Sequence, residues 1–177
     1  MHSLERPLPA ELPVADALQA YLDENGFDKS LYDAPYTPAS FLGISFGMPN
    51  TPSHRLAIMR HDLHHVATGY GTDLAGEAEI SAWEVRRGFG DIGLYVGAII
   101  SSGVLLGMLG WPLRTIAASR APGRKNLFGK ELRYDDLLAM TVGELRELLG
   151  VPRDGLVGAR QLHANAPKSP GASATEA

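Results

Sequence analysis

The sequence predicts an all-α fold: a single compact helical domain with a long central apolar helix and a disordered C-terminal tail. Three observations carry this expectation. Apolar residues recur at helical spacing in successive segments. Capping residues precede those segments and glycines follow them. No segment reads as a strand. A chain of 177 residues suits one domain and can bury a hydrophobic core.

Residues 1–13 read as a Pro-rich arm. They lack the basic start and apolar centre of a signal peptide, so the expected location is cytoplasmic. The helical domain is expected over 14–158. Val14, Ala17, Leu18, Tyr21 and Leu22 share one face of a first helix, and Gly26 stops it at Asn25. Asp28 to Asn50 reads as a loop rich in Pro and Gly. A loop of that length is usually functional or covers a core. Ser53 is the expected cap of a second helix reaching Thr68. Gly69 and Gly71 then turn the chain, and Asp73 caps a third helix ending near Arg87. The short connection makes these two helices an antiparallel hairpin.

Ile92 to Leu113 carries no charge. The main expectation is a buried central helix whose glycines (Gly93, Gly97, Gly103, Gly107) admit close neighbours. The run is also long enough to enter a bilayer, and shallow membrane contact is the alternative. Downstream, Arg114, Arg120, Arg124, Lys125, Lys130 and Arg133 are opposed only by Glu131. Such a cluster suits an anionic membrane surface, or is simply a solvated loop. Thr141 and Glu144 form a capping box for a last helix, lined by Leu145, Leu148 and Leu149 and ended by Gly150 and Pro152. Residues 159–177, rich in Ala, Ser and Pro, have little to bury and read as a disordered tail.

Composition narrows the chemistry. A net charge of −4 gives no nucleic-acid signature. The absence of cysteine removes disulfides, thiolate catalysis and thiolate metal sites. What remains is a constellation of histidines and carboxylates. His61 and His65 stand four residues apart on one helix face, where two imidazoles can converge on one ion. Asp62 flanks that face. Glu77, twelve residues beyond His65 and past the glycine turn, can point back from the partner helix. The expected cofactor is one divalent metal ion held by His61, Asp62, His65 and Glu77. The donor set suits zinc, iron, manganese or cobalt alike. An open site would require one of the four to step back, and Asp62 is the candidate. His54 and Glu84 return to the same faces at heptad offsets and could orient a ligand. His64 reads as a surface residue, and Trp83 and Tyr95 as core.

The pattern H-D-x-x-H, eleven residues, then E resembles the signature of the coenzyme Q (ubiquinone) biosynthesis family called Coq-four. Here it is His61, Asp62, His65, then Glu77. Gly69, the Gly76–Glu77 pair, the Trp83–Glu84 pair and the closing segment Leu149-Gly150-Val151-Pro152 are similar as well. The resemblance is strong over about residues 55–84. It implies a helical protein, peripheral to the inner face of the cell membrane. Its partners would be a polyprenylated aromatic quinone precursor and other quinone-biosynthesis enzymes; separately, the glycine-spaced apolar helix suits a homodimer. The implied reaction is metal-dependent oxidative decarboxylation of a hydroxybenzoate-type ring, leaving a hydroxyl at C1, with His61, Asp62 and Glu77 as the catalytic groups. An alternative implication is a non-catalytic, lipid-binding scaffold with a structural metal. His61-Asp62 is also the pair found in HD-domain phosphohydrolases. For that class, His54 and Asp91 are poor counterparts of the further ligands required.

Overall fold

A computed structural model describes residues 7–41, 44–129 and 132–157. The expected tail, 159–177, lies outside the described residues, as do the first six residues of the arm and Lys130 and Glu131 of the basic cluster. The described residues are mostly helical, as the patterning predicts. In order they form α1 (Val14–Asn25), α2 (Ser30–Asp33), β1 (Tyr36–Phe41), β2 (Ile44–Pro49), α3 (Pro52–Thr68), α4 (Leu74–Arg86), α5 (Gly93–Gly110), α6 (Pro112–Arg120), α7 (Tyr134–Leu138) and α8 (Val142–Leu149).

Helix α1 keeps the expected boundaries and buries Val14, Ala17, Leu18 and Leu22. These residues join Leu63, Val66, Ile80, Trp83, Leu145 and Leu149 in the main core. The fully buried Arg146 ties three separate segments together: its guanidinium donates to the carbonyls of Leu8, Ala67 and Arg153. Residues 10–14 run back along the start of α8, with Val142 N–H donating to Leu12 O and Val14 N–H to Met140 O. The Thr141–Glu144 capping box forms as the sequence predicts.

The expectation of a loop over Asp28 to Asn50 is corrected. That stretch holds α2 and an antiparallel hairpin in which Tyr36 pairs with Pro49 and Phe41 with Ile44. Pro38 and Gly47, which read as breakers, sit opposite each other in the ribbon. A two-stranded ribbon has two open edges, so a residue without an N–H is tolerated there. Asn50 closes the base by donating its side-chain amide to Tyr32 O and Ala34 O.

Helix α3 starts two residues early. Thr51, not Ser53, is its cap, accepting the His54 N–H at 3.2 Å, and Pro52 takes the first helical position. Its C-terminal turn requires Gly69, whose φ of 80° favours glycine. Asp73 caps α4 as expected, accepting the Gly76 N–H.

The apolar run is present as α5, but it is not a buried core helix. Only 22% of it is buried, and by length and composition it is apolar enough to cross a membrane. One face packs on α4 and α6. A Cβ on Gly107 would stand 2.6 Å from Ala78 Cβ, and one on Gly103 would stand 2.4 Å from Ser81 Oγ. The opposite face shows Leu94, Leu105 and Leu109 to the outside. The run breaks at Trp111, and Pro112 begins α6. Arg114 of the basic cluster is ion-paired with the buried Glu79 of α4 at 2.7 Å.

Candidate metal centre

The site lies between α3 and α4. His65 meets Glu77, while His61 reaches both Glu77 and Glu84, which is the reversed order of an antiparallel helix pair. His61, His65 and Glu77 each aim one donor atom at a common point, all within 4.8 Å of one another. The two Nε2 atoms stand 3.1 Å apart. Glu77 places Oε2 3.2 Å from His61 and Oε1 3.4 Å from His65.

Hydrogen bonds behind the rings fix their orientation. His65 Nδ1 lies 2.9 Å from the Tyr70 carbonyl, and His61 Nδ1 lies 2.8 Å from Glu84 Oε1. A carbonyl and a carboxylate only accept, so both Nδ1 atoms carry the proton and both Nε2 lone pairs turn to the common point. Metal-ligating histidines are held in this way. Nitrogens about 2.0–2.1 Å from one ion lie about 2.9–3.4 Å apart at octahedral to tetrahedral angles. The observed separation of 3.1 Å falls within that window. The residues therefore fit a divalent metal. Two histidines and one carboxylate form the donor set of open zinc sites and of non-haem iron centres.

Asp62 is not part of this three-residue group. Tyr32 OH makes a short hydrogen bond to its Oδ2, and Tyr21 OH lies 3.4 Å from its Oδ1. Its carboxylate borders the same cavity as His61 and Glu77. The long segment after α1 thus enters the site through Tyr32. Reading Tyr21 as part of an apolar helix face hid its hydroxyl, and nothing in the local pattern marked Tyr32. His54 stands apart from the three: its Nδ1 lies 3.2 Å from Pro49 O and its ring meets Tyr95 edge-on. Tyr95 is itself exposed, not core. Trp83 is fully buried as expected. The expectation of a surface His64 is corrected, since the ring is fully buried between Trp83 and Phe128. Its position three residues after His61 was the available signal.

Electrostatics follow from this packing. Burial opposes charge on His61, but Glu84 and Glu77 outweigh it and raise His61 well above the ordinary histidine range. Burial alone would raise Glu84, yet His61 and His64 hold it down at about 2. Glu77 is depressed in the same way, with burial outweighed by His65 and His61. Asp62 moves upward because burial dominates, partly offset by His61 and Tyr32. Burial and the Asp62 charge push both Tyr21 and Tyr32 up, so the phenols stay protonated as donors.

The site opens into a cavity of about 520 Å³. Its lining includes the apolar Val96, Ile99, Ile100 and Leu106 of α5 and Ile58 of α3. His61, Asp62 and Glu77 line the same cavity, together with Asp28, His54, Thr72 and Ser81. The protein-family models, the curated proteins and the solved structures compared with this chain give no match.

Proposed function

We propose that this protein is a metal-dependent enzyme of ubiquinone biosynthesis. Its reaction would replace the carboxyl group of a polyprenylated hydroxybenzoate-type ring with a hydroxyl. The observation that carries the reading is one arrangement: an open three-ligand group whose His61 and Glu77 border a largely apolar cavity. The resemblance of the His61-Asp62-x-x-His65 pattern and Glu77 to the Coq-four signature supports the substrate class.

The balanced reaction takes the ring acid, dioxygen, two electrons and two protons to the ring hydroxyl, carbon dioxide and water. A bound metal supplies a positive centre for the ring carboxylate and stabilises charge as carbon dioxide leaves. His61, His65 and Glu77 would hold it. Asp62, held by Tyr21 and Tyr32, is the group that would hold and hand over a proton at Oδ1, the oxygen with only the longer 3.4 Å contact from Tyr21. The apolar wall of α5 would take the prenyl tail, and each buried CH₂ contributes about 0.8 kcal/mol. The decisive experiment supplies metal-loaded protein with a prenylated hydroxybenzoate, dioxygen and a two-electron reductant, and follows the product by mass spectrometry. Steady turnover by His61→Ala protein would sink the proposal.

The exposed apolar face of α5 favours a second reading: a lipid-binding scaffold at the inner membrane face that organises other quinone-biosynthesis enzymes around a structural metal. Under that reading, metal removal unfolds the chain. An apoprotein that stays folded with its helix content intact, its Tm lowered only by the lost binding energy, decides for the enzyme.

A further inference from the structure

Glu84 Oε1 accepts from two histidines at once, His61 Nδ1 at 2.8 Å and His64 Nδ1 at 2.6 Å. Both Glu84 and His64 are fully buried. His64 has a defined tautomer for a reason outside the site. The backbone N–H of Leu127 can only donate, and it meets His64 Nε2 at 2.9 Å. The His64 proton is therefore on Nδ1 and goes to Glu84. The Asn126 side chain holds this segment in place by donating to Glu84 O at 3.2 Å.

We infer that Glu84, locked by His64 and the Leu127 amide, is a positioning residue that fixes the His61 lone pair on the metal site and supplies its second negative charge. The inference rests on the reading of His61, His65 and Glu77 as metal ligands. Three hydrogen bonds in series run from the backbone to His61, and each permits one direction only. Glu77 contributes one charge at the half-exposed site and the fully buried Glu84 a second behind it, which together balance a dication. Among the described residues, Glu84 Oε2 has no hydrogen-bond partner. Both histidines read the same oxygen, so this carboxylate is aimed at His61 and His64 instead of bridging through both of its oxygens.

The test measures zinc and cobalt(II) affinity by competition with a chromophoric chelator, together with the cobalt absorption spectrum. It compares wild type with Glu77→Gln, Glu84→Gln, His64→Leu and His64→Asn. Glu84→Gln keeps the shape and removes the charge, and should weaken affinity about 10- to 100-fold with a shifted spectrum. His64→Leu should weaken it about tenfold, the low end of that range. His64→Asn retains a donor near the Nδ1 position and should stay near wild type, although both His64 variants lose the Leu127 contact. A purely structural role would move those two variants together. Wild-type affinity and spectrum in Glu84→Gln, beside lost binding in Glu77→Gln, overturn this inference alone. No binding by wild type overturns the metal reading and this one with it. Nitrogen NMR of the wild-type zinc protein needs no substitution. Exchange-protected Nδ1–H signals on His61 and His64 support the relay, and their absence overturns it.

Discussion

His61 Nε2 and His65 Nε2 face each other at 3.1 Å, and the Nδ1 proton of each ring is already given to Glu84 or Tyr70. With both rings neutral, two lone pairs converge beside the Glu77 carboxylate from rings set edge-to-face. A positive group relieves that repulsion: a proton on one nitrogen, or a metal ion bound to both lone pairs from beside the nitrogen–nitrogen line. Proton and metal thus compete for one position, which makes the site testable from two sides.

The first test is metal content. Wild-type protein should purify with, or take up, about one divalent ion per chain. The His61→Ala/His65→Ala double variant should hold none by elemental analysis. Free metal at a hundred times its Kd should stabilise the fold by about 2.7 kcal/mol, visible as a raised Tm that a chelator reverses. A metal-independent Tm with an empty wild-type chain would remove the site.

The second test is proton release. Glu84 and Glu77 raise His61 above its unfolded value despite burial, so metal-free His61 keeps its proton to higher pH than an ordinary histidine. Stability from that charge is fully present below the unfolded value and is lost as pH rises through the raised one. Metal binding must expel the same proton, so affinity should climb with pH across that window and fall on acidification. Calorimetry in buffers of different ionisation enthalpy should find net proton release on metal binding. A binding enthalpy independent of buffer contradicts the competition.

Much of this site was legible before any coordinates. His61 and His65 follow from helical period, and Glu77 from a glycine turn of the right length, because local geometry sets both. Tyr32 and His64 were not legible in the same way. Tyr32 reaches Asp62 across thirty residues of chain, and His64 owes its role to Leu127, sixty-three residues away. Pairings of that range depend on packing, which local pattern does not encode. The hairpin was hidden by the same kind of context: Pro38 and Gly47 disfavour strands in general but suit an open ribbon. For α5, hydropathy located the helix correctly. Which face would be covered depended on the small residues of α4, a partner that hydropathy does not name.

Gly107 tests that helix contact. Its position is held against Ala78 and Thr115, where a Cβ would approach to 2.6 Å and 2.5 Å. Gly107→Val should therefore cost about 1–3 kcal/mol by overpacking, measured by urea denaturation with an unchanged m-value. Gly110, with open space around it, is the control, and Gly110→Ala should be close to neutral. Equal effects at the two positions would mean that α5 and α4 do not pack as closely as described.

The outer face of α5 tests the membrane reading. Leu94, Leu105 and Leu109 recur on one helical stripe and are 95%, 63% and 77% exposed. Water disfavours such a stripe, and a bilayer interface would cover it. Full burial of a leucine side chain contributes about 1.5–3 kcal/mol. A Leu105→Glu/Leu109→Glu double variant should accordingly lose vesicle binding by at least about tenfold. Because neither side chain belongs to the core, the variant should keep its Tm and its metal content. Co-sedimentation with vesicles of anionic lipid reads the first effect, and elemental analysis the second. Undiminished sedimentation of the variant would show that α5 is not the contact, and the lipid-binding scaffold reading would lose its support.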